Sequence, residues 1–155
     1  MFTSSFPEDA LLVTRLDPED AFGSMIVRPF ELEGMQWVTA EHYYQAMKYP
    51  DQARFQAIVA APDAATARKL GVGCLKRKRR DWQSVRQVVM TRALYTQART
   101  HEDFATRLLD TSDQPIFNKQ QYDYYWGLGR DHRGNNHYGE VLMRVRQKLR
   151  EEQGS

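Results

Sequence analysis

The chain has 155 residues, of which 41% are hydrophobic and 12% aromatic, which is the size and apolar content of one compact domain with a real core. Its 22 basic residues nearly balance 20 acidic ones, leaving a net charge of +2, so any attraction to polyanions has to come from a local patch. The single cysteine, Cys74, excludes an internal disulfide and a cysteine-rich zinc site and fits a cytoplasmic setting; no run approaches the ~20 apolar residues of a membrane span, and Met1–Ser5 opens no secretory leader.

In chain order, the first twenty residues set Leu11-Leu12-Val13 among Pro7, Pro18 and five acids, compatible with a short strand and turns but without a clear period. Ile26, Phe30, Leu32, Gly34 and Trp37 predict two short strands joined at Glu33-Gly34, the one clear sheet signal. Thr39 stands as an N-cap ahead of a short helix from Ala40 to Tyr49, which Pro50 stops. Asp51 caps a second helix with Phe55, Ile58 and Val59 on it, and Asp63 a third that ends at Gly71. Trp82, Val85, Val89 and Ala93 recur at helical spacing in what should be the longest helix. Phe104, Leu108 and Leu109 mark another short helix, Thr111 to Tyr138 reads mostly as loop, and Leu142, Val145 and Leu149 place a final amphipathic helix. Glu151 to Ser155 reads as a polar tail.

The densest polar and aromatic cluster is Glu41-His42-Tyr43-Tyr44-Gln45-Ala46-Met47-Lys48, where Glu41, Tyr44, Gln45 and Lys48 share a helix face. The spacing alone also suits a solvated stripe with two core tyrosines, but Glu41 sits in the first turn, where the helix dipole favours an ionised carboxylate. Tyr122-Asp123-Tyr124-Tyr125-Trp126 sets one acid among four rings, which suits either stacking of a flat heterocycle or an aromatic corner of the core. The Gly127-Leu128-Gly129 and Gly134-Asn135-Asn136 runs lead into the last helix, whose N-terminus can hold a phosphate if its N–H groups are free; they equally serve turn geometry. His132 and His137 match no standard metal-ligand spacing, and no metal is expected. Lys76 to Arg80 is a run of five cations, ordinarily a solvated turn but attractive to a phosphate-bearing ligand, and nothing around Cys74 makes it a nucleophile.

The order of these motifs resembles the YbiA-like, or NADAR, family from about residue 22 to 149. The resemblance is carried by Thr39 to Lys48, Trp82-Gln83-Ser84-Val85-Arg86, Leu108-Leu109-Asp110-Thr111, Asp123-Tyr124-Tyr125-Trp126-Gly127, Gly134-Asn135-Asn136 and Leu142 to Arg146. It implies an α+β, mainly helical single domain with a small hairpin or sheet, and a metal-independent, cofactor-free N-glycosidase. The bond broken joins ribose C1′ to nitrogen, in phosphorylated ribosylaminopyrimidines of the riboflavin pathway or in ADP-ribosylated guanine of DNA. By motif, Glu41 would be the principal catalytic carboxylate, Lys48 and Asp123 its partners, and Tyr44, Trp82, Trp126, Asn136 and Ser24 substrate-binding residues. A carboxylate fits this chemistry, because departure of the base builds positive charge on the ribose.

Three departures from the family pattern stand out. Ser24 stands where an asparagine is usual, Gln97-Ala98 where a Lys-Phe pair is usual, and Asn118 where a glutamate is usual. These departures are the main support for a third reading, a non-catalytic module that binds ADP-ribose or a related nucleotide; retention of Glu41 opposes it.

Overall fold

A computed structural model describes residues 7–73 and 77–154. The elements run β1 (Leu11–Val13), β2 (Phe30–Leu32), β3 (Met35–Trp37), α1 (Ala40–Ala46), α2 (Gln52–Val59), α3 (Ala64–Val72), α4 (Trp82–Thr100), α5 (Glu102–Leu109), β4 (Ile116–Asn118) and α6 (His137–Gln153). The fold is α+β and mainly helical, as the motif order implied. Cys74 and Lys76 lie outside the described residues, as do the first six residues and Ser155. Among the described residues no helix is long and apolar enough to cross a membrane.

Three helix starts follow from side-chain capping. Thr39 Oγ1 accepts from His42 N at 3.1 Å, Asp51 Oδ1 from Arg54 N at 2.9 Å, and Asp63 Oδ1 from Thr66 N at 2.7 Å. α1 stops at Ala46, a turn before Pro50, because the chain is already tightening there: Lys48 N donates to Gln45 O and Tyr49 N to Ala46 O. β2 and β3 pair antiparallel around Glu33 and Gly34, whose φ angles of 57° and 76° supply the left-handed turn that a two-residue hairpin needs. That hairpin is not the whole sheet content. β1 pairs parallel with β4, Leu11 opposite Ile116 and Val13 opposite Asn118, so the stretch read as mostly loop contains a strand. α6 also begins at His137, several residues before its apolar stripe becomes legible.

The core gathers on α1. Trp37 meets Tyr43 and Phe55 edge-on, with ring centroids 5.2 and 5.9 Å apart, and α1 packs against α2, α3 and α4. α6 lies against α4, α5 and β4. His42 pins α1 to the chain beyond α2: one ring nitrogen is 2.7 Å from Thr39 Oγ1 and the other 3.0 Å from Ala61 O. With α1 thus enclosed on several sides, its polar face opens towards β1, Ser24 and the segment before α6.

Candidate active site

Glu41 is fully buried at the start of α1 and its carboxylate accepts three hydrogen bonds. Oε2 takes one from Arg15 Nη1 at 2.5 Å and one from Ser24 Oγ at 2.6 Å, while Oε1 takes one from Gln45 Nε2 at 2.8 Å. The Glu41 backbone N donates to Ser24 O at 2.9 Å, so Ser24 holds both the main chain and the side chain of the acid. Burial alone would raise this carboxyl. The Arg15 guanidinium, the bonds from Ser24 and Gln45 and the Lys48 ammonium outweigh burial and hold it below the ordinary carboxylate range. The ionised state expected from the helix dipole is thus supported chiefly by a cation that sequence reasoning did not single out.

Lys48 is also buried, its Nζ 5.4 Å from the centre of the Tyr44 ring. Burial pushes its ammonium down to about 8; Glu41 opposes that, and Lys78, Arg15 and Arg68 add to it. The basic run reaches this region through Arg79, whose N donates to Lys48 O at 2.7 Å. Tyr44 is the hub of the aromatic group, 5.1 Å from Trp82 and 5.5 Å from Trp126 by centroid, and its hydroxyl accepts from Trp126 Nε1 at 3.1 Å. Burial pushes the Tyr44 hydroxyl up to about 12, so it stays protonated at neutral pH. Glu41, Lys48, Tyr44, Trp82, Trp126 and Ser24 therefore stand together as one constellation.

Asp123 lies at its edge. Its Oδ1 accepts from Tyr125 N at 3.0 Å and Trp126 N at 2.7 Å, so one oxygen shapes the turn that aims Trp126, while its charge acts on Arg15. Asn136 does something different. Its Oδ1 accepts from Asn118 N at 2.8 Å and its Nδ2 donates to Ile116 O at 2.9 Å, so the whole amide is committed to β4. At the start of α6 the turn-geometry alternative holds: Asn136 N, His137 N and Tyr138 N donate to the carbonyls of Gly127, Tyr125 and Trp126 at 3.0–3.1 Å and are not free for a phosphate. Among the described residues no three His, Cys, Asp or Glu side chains cluster as metal ligands. A cleft of about 510 Å³ between α4 and α6, lined in part by Gln87, Tyr125 and Arg144, has neither Glu41 nor Lys48 on its wall and lacks the polar convergence found around Glu41.

The NADAR domain pattern matches residues 7–150. The chain belongs to the NADAR family. Among curated members it is 32% identical over 128 residues to N-glycosidase YbiA of Shigella flexneri, covering 83% of this chain and 80% of that protein. It is 34% identical to N-glycosidase Npun_R5314 of Nostoc punctiforme, covering 86% of this chain and 87% of that one. It is also 34% identical over 120 residues to riboflavin biosynthesis protein VVA0006 of Vibrio vulnificus, covering 77% of this chain and 33% of that longer protein. The NMR structure of Escherichia coli YbiA superposes with a TM-score of 0.83 at 28% identity, covering 96% of this chain and 89% of that one. The NADAR match begins at residue 7, ahead of the motifs legible from residue 22, and so takes in Arg15.

Against the family pattern, the three departures fall in different places. Ser24 is in direct contact with Glu41 and still donates to it. Asn118 is one step away, its Oδ1 accepting from Arg15 N at 3.1 Å. Gln97 donates to Arg28 O at 2.9 Å at the entry to the hairpin and makes no hydrogen bond to Glu41 or Arg15 among the described residues.

Proposed function

We propose that this NADAR protein is a cytoplasmic N-glycosidase that hydrolyses the ribose C1′–N bond of a phosphorylated ribosylaminopyrimidine. The carrying observation is the buried, ionised Glu41, held by Arg15, Ser24 and Gln45 beside Lys48 and the Tyr44, Trp82 and Trp126 rings. A carboxylate with three donors upon it and a depressed pKa is a poor proton acceptor, but a strong fixed negative charge in a water-poor setting. That suits stabilisation of the cationic sugar formed as the base leaves.

In the proposed reaction the C1′–N bond breaks with its electron pair going to nitrogen, which takes up a proton. Water adds through oxygen to C1′ and gives up a proton, so the products are free ribose phosphate and the amino base. Lys48, with its ammonium near neutrality, supplies the proton to the departing nitrogen or binds the sugar's polar groups. The names of the relatives, two of them N-glycosidases and one a riboflavin biosynthesis protein, support this substrate class.

A second reading, removal of ADP-ribose from guanine in DNA, is favoured by one feature: the contact between Arg79 N and Lys48 O draws the basic run next to the cluster. The two share their bond cleavage and differ in leaving group. Incubating the protein and its Glu41→Gln variant with a ribosylaminopyrimidine phosphate and with guanine-ADP-ribosylated DNA, and following release by mass spectrometry, separates them. Cleavage of the first substrate, lost in the variant, is expected. Cleavage of the DNA alone transfers the assignment to the second reading, and turnover of neither substrate overturns both.

A further inference from the structure

We propose that Arg15 is a positioning residue of this site, which fixes both the ionisation and the direction of the Glu41 carboxylate. The inference rests on Glu41 being the carboxylate that faces the ribose, as argued above. Arg15 follows β1, and its place is set by long-range contacts. Its N donates to Asn118 Oδ1, Ser24 N donates to its carbonyl at 3.0 Å, and the β1–β4 ladder fixes the strand before it. Its Nη1 bridges the site, donating to Glu41 Oε2 at 2.5 Å and to Ser24 Oγ at 3.2 Å. The guanidinium carbon is 5.7 Å from the centres of both the Tyr44 and the Trp126 rings, so the cation is wedged between the acid and the aromatic pair.

A purely stabilising role explains this arrangement poorly. A buried ion pair is seldom better for stability than two apolar side chains of the same volume, because both charges must leave water. Here the arginine also keeps its Nε buried without a partner. A buried donor left unpaired adds to that cost. What the pair does provide is a carboxylate that stays charged while fully buried.

The other charged or titratable groups facing this pair are Lys48 on α1, Asp123 ahead of α6, Tyr44, and Tyr138 on α6. Of these, Lys48 adds positive potential without a hydrogen bond to Glu41 among the described residues, Asp123 acts on Arg15, and burial keeps both tyrosines neutral. Arg15 is the group that places a full positive charge directly upon the carboxylate.

The test uses the full chain as Arg15→Met, Arg15→Lys and Glu41→Gln, assayed on a ribosylaminopyrimidine phosphate through the acid pH range. Arg15→Met should lower kcat about 10²-fold with KM changed less than about threefold, comparable to removing one preorganised charge-stabilising donor. Its acid limb should move to higher pH, because Glu41 loses the cation that most opposes its burial. Arg15→Lys keeps the charge but has a shorter reach and loses the planar guanidinium wedged between the acid and the two rings, so its acid limb should stay low while kcat falls by about tenfold. A folded Arg15→Met with an unmoved acid limb overturns the proposal. Should that variant fail to fold, Arg15→Lys decides: wild-type kcat overturns the proposal and a lowered kcat at unchanged KM supports it. Wild-type turnover by Glu41→Gln sinks the catalytic reading of Glu41 instead. In that event carbon-13 NMR titration of the Glu41 carboxyl, with and without Arg15, still reports whether the arginine controls its ionisation.

Discussion

Two polar regions of this chain offer themselves to a ligand in sequence, the Glu41–Lys48 helix more strongly than the Gly- and Asn-rich segment before α6, and the fold uses them in opposite ways. In the segment before α6 the polar groups satisfy one another. Asp123 caps Tyr125 and Trp126, Gly134 N donates to Leu128 O at 2.6 Å, and Asn136 binds two backbone groups of β4. A Cβ on Gly134 would strike Gly127 O, so even the glycine there is required by close packing of chain on chain. Around Glu41, by contrast, Arg15, Ser24 and Glu41 come from three separate parts of the chain and put a buried cation directly on a buried carboxylate. Polar composition marks both regions; what distinguishes the Glu41 group is buried full charge, an ion pair with a second cation at Lys48 beside it, where the other region spends its polar groups on backbone turns.

The contrast is sharpened most by Glu41→Gln, which keeps the shape and removes the charge. We expect kcat to fall on the order of 10³-fold, the upper range for loss of a preorganised electrostatic group, with KM little affected. Steady-state kinetics on the cleaved substrate checks this, and a large rise in KM at unchanged kcat would make Glu41 a binding residue. Lys48→Met should follow with a loss of about 10²-fold. In the wild type the basic limb of kcat should lie near pH 8, where the buried ammonium loses its proton, and the variant should lack that limb. The same shift affects stability. An ammonium lowered from its ordinary value in the folded state binds fewer protons there than in the unfolded chain, so its destabilising effect is present at neutral pH and relieved as pH rises from about 8 through the ordinary lysine range. Thermal melts of wild type against Lys48→Met should therefore converge as pH rises through that window.

Much of the helical region was legible because its signals are local. Thr39, Asp51 and Asp63 each bond a backbone N–H three residues on, which is what a capping pattern reads. Glu41, Lys48, Tyr44 and Trp82 likewise carried motif signals, and the fold brings them together. Arg15 was not legible, since it lies in a stretch without periodicity and its significance comes from partners 26 residues away at Glu41 and 103 residues away at Asn118. β4 escaped for a related reason: three residues, Ile116-Phe117-Asn118, are too few to show alternation, and parallel pairing with β1 leaves no hairpin turn to announce it. The signal that could have found Arg15 was its company, an arginine two residues beyond an apolar Leu-Leu-Val run near the start of the chain, which suggests a strand delivering a cation to the interior.

A smaller effect is expected from Lys78→Glu, which tests whether the basic run serves the cluster at all. Lys78 is exposed but its charge acts on Lys48. Reversing it should raise KM for a phosphorylated substrate roughly threefold at low salt and have little effect at high ionic strength, as befits an exposed charge. An unchanged KM at low salt would leave the run as a solvated turn.

The smallest effect on catalysis, and the sharpest test of the contrast, belongs to Asn136→Ala. If the amide serves β4 alone, losing both of its bonds should cost about 1–3 kcal/mol of stability, with some further strain from placing alanine at a φ of 53°. For a chain of this size that corresponds to a Tm lower by roughly 3–10 °C, readable by circular dichroism. At a temperature where the variant is folded, kcat and KM should change by less than about twofold, because the direct bond from Arg15 to Glu41 and the β1–β4 ladder survive, and a twofold change is only ~0.4 kcal/mol. The opposite pattern, an unchanged Tm with a large loss of kcat, would mean that substrate draws the Asn136 amide away from β4, and the segment before α6 would then have to be counted as part of the catalytic site.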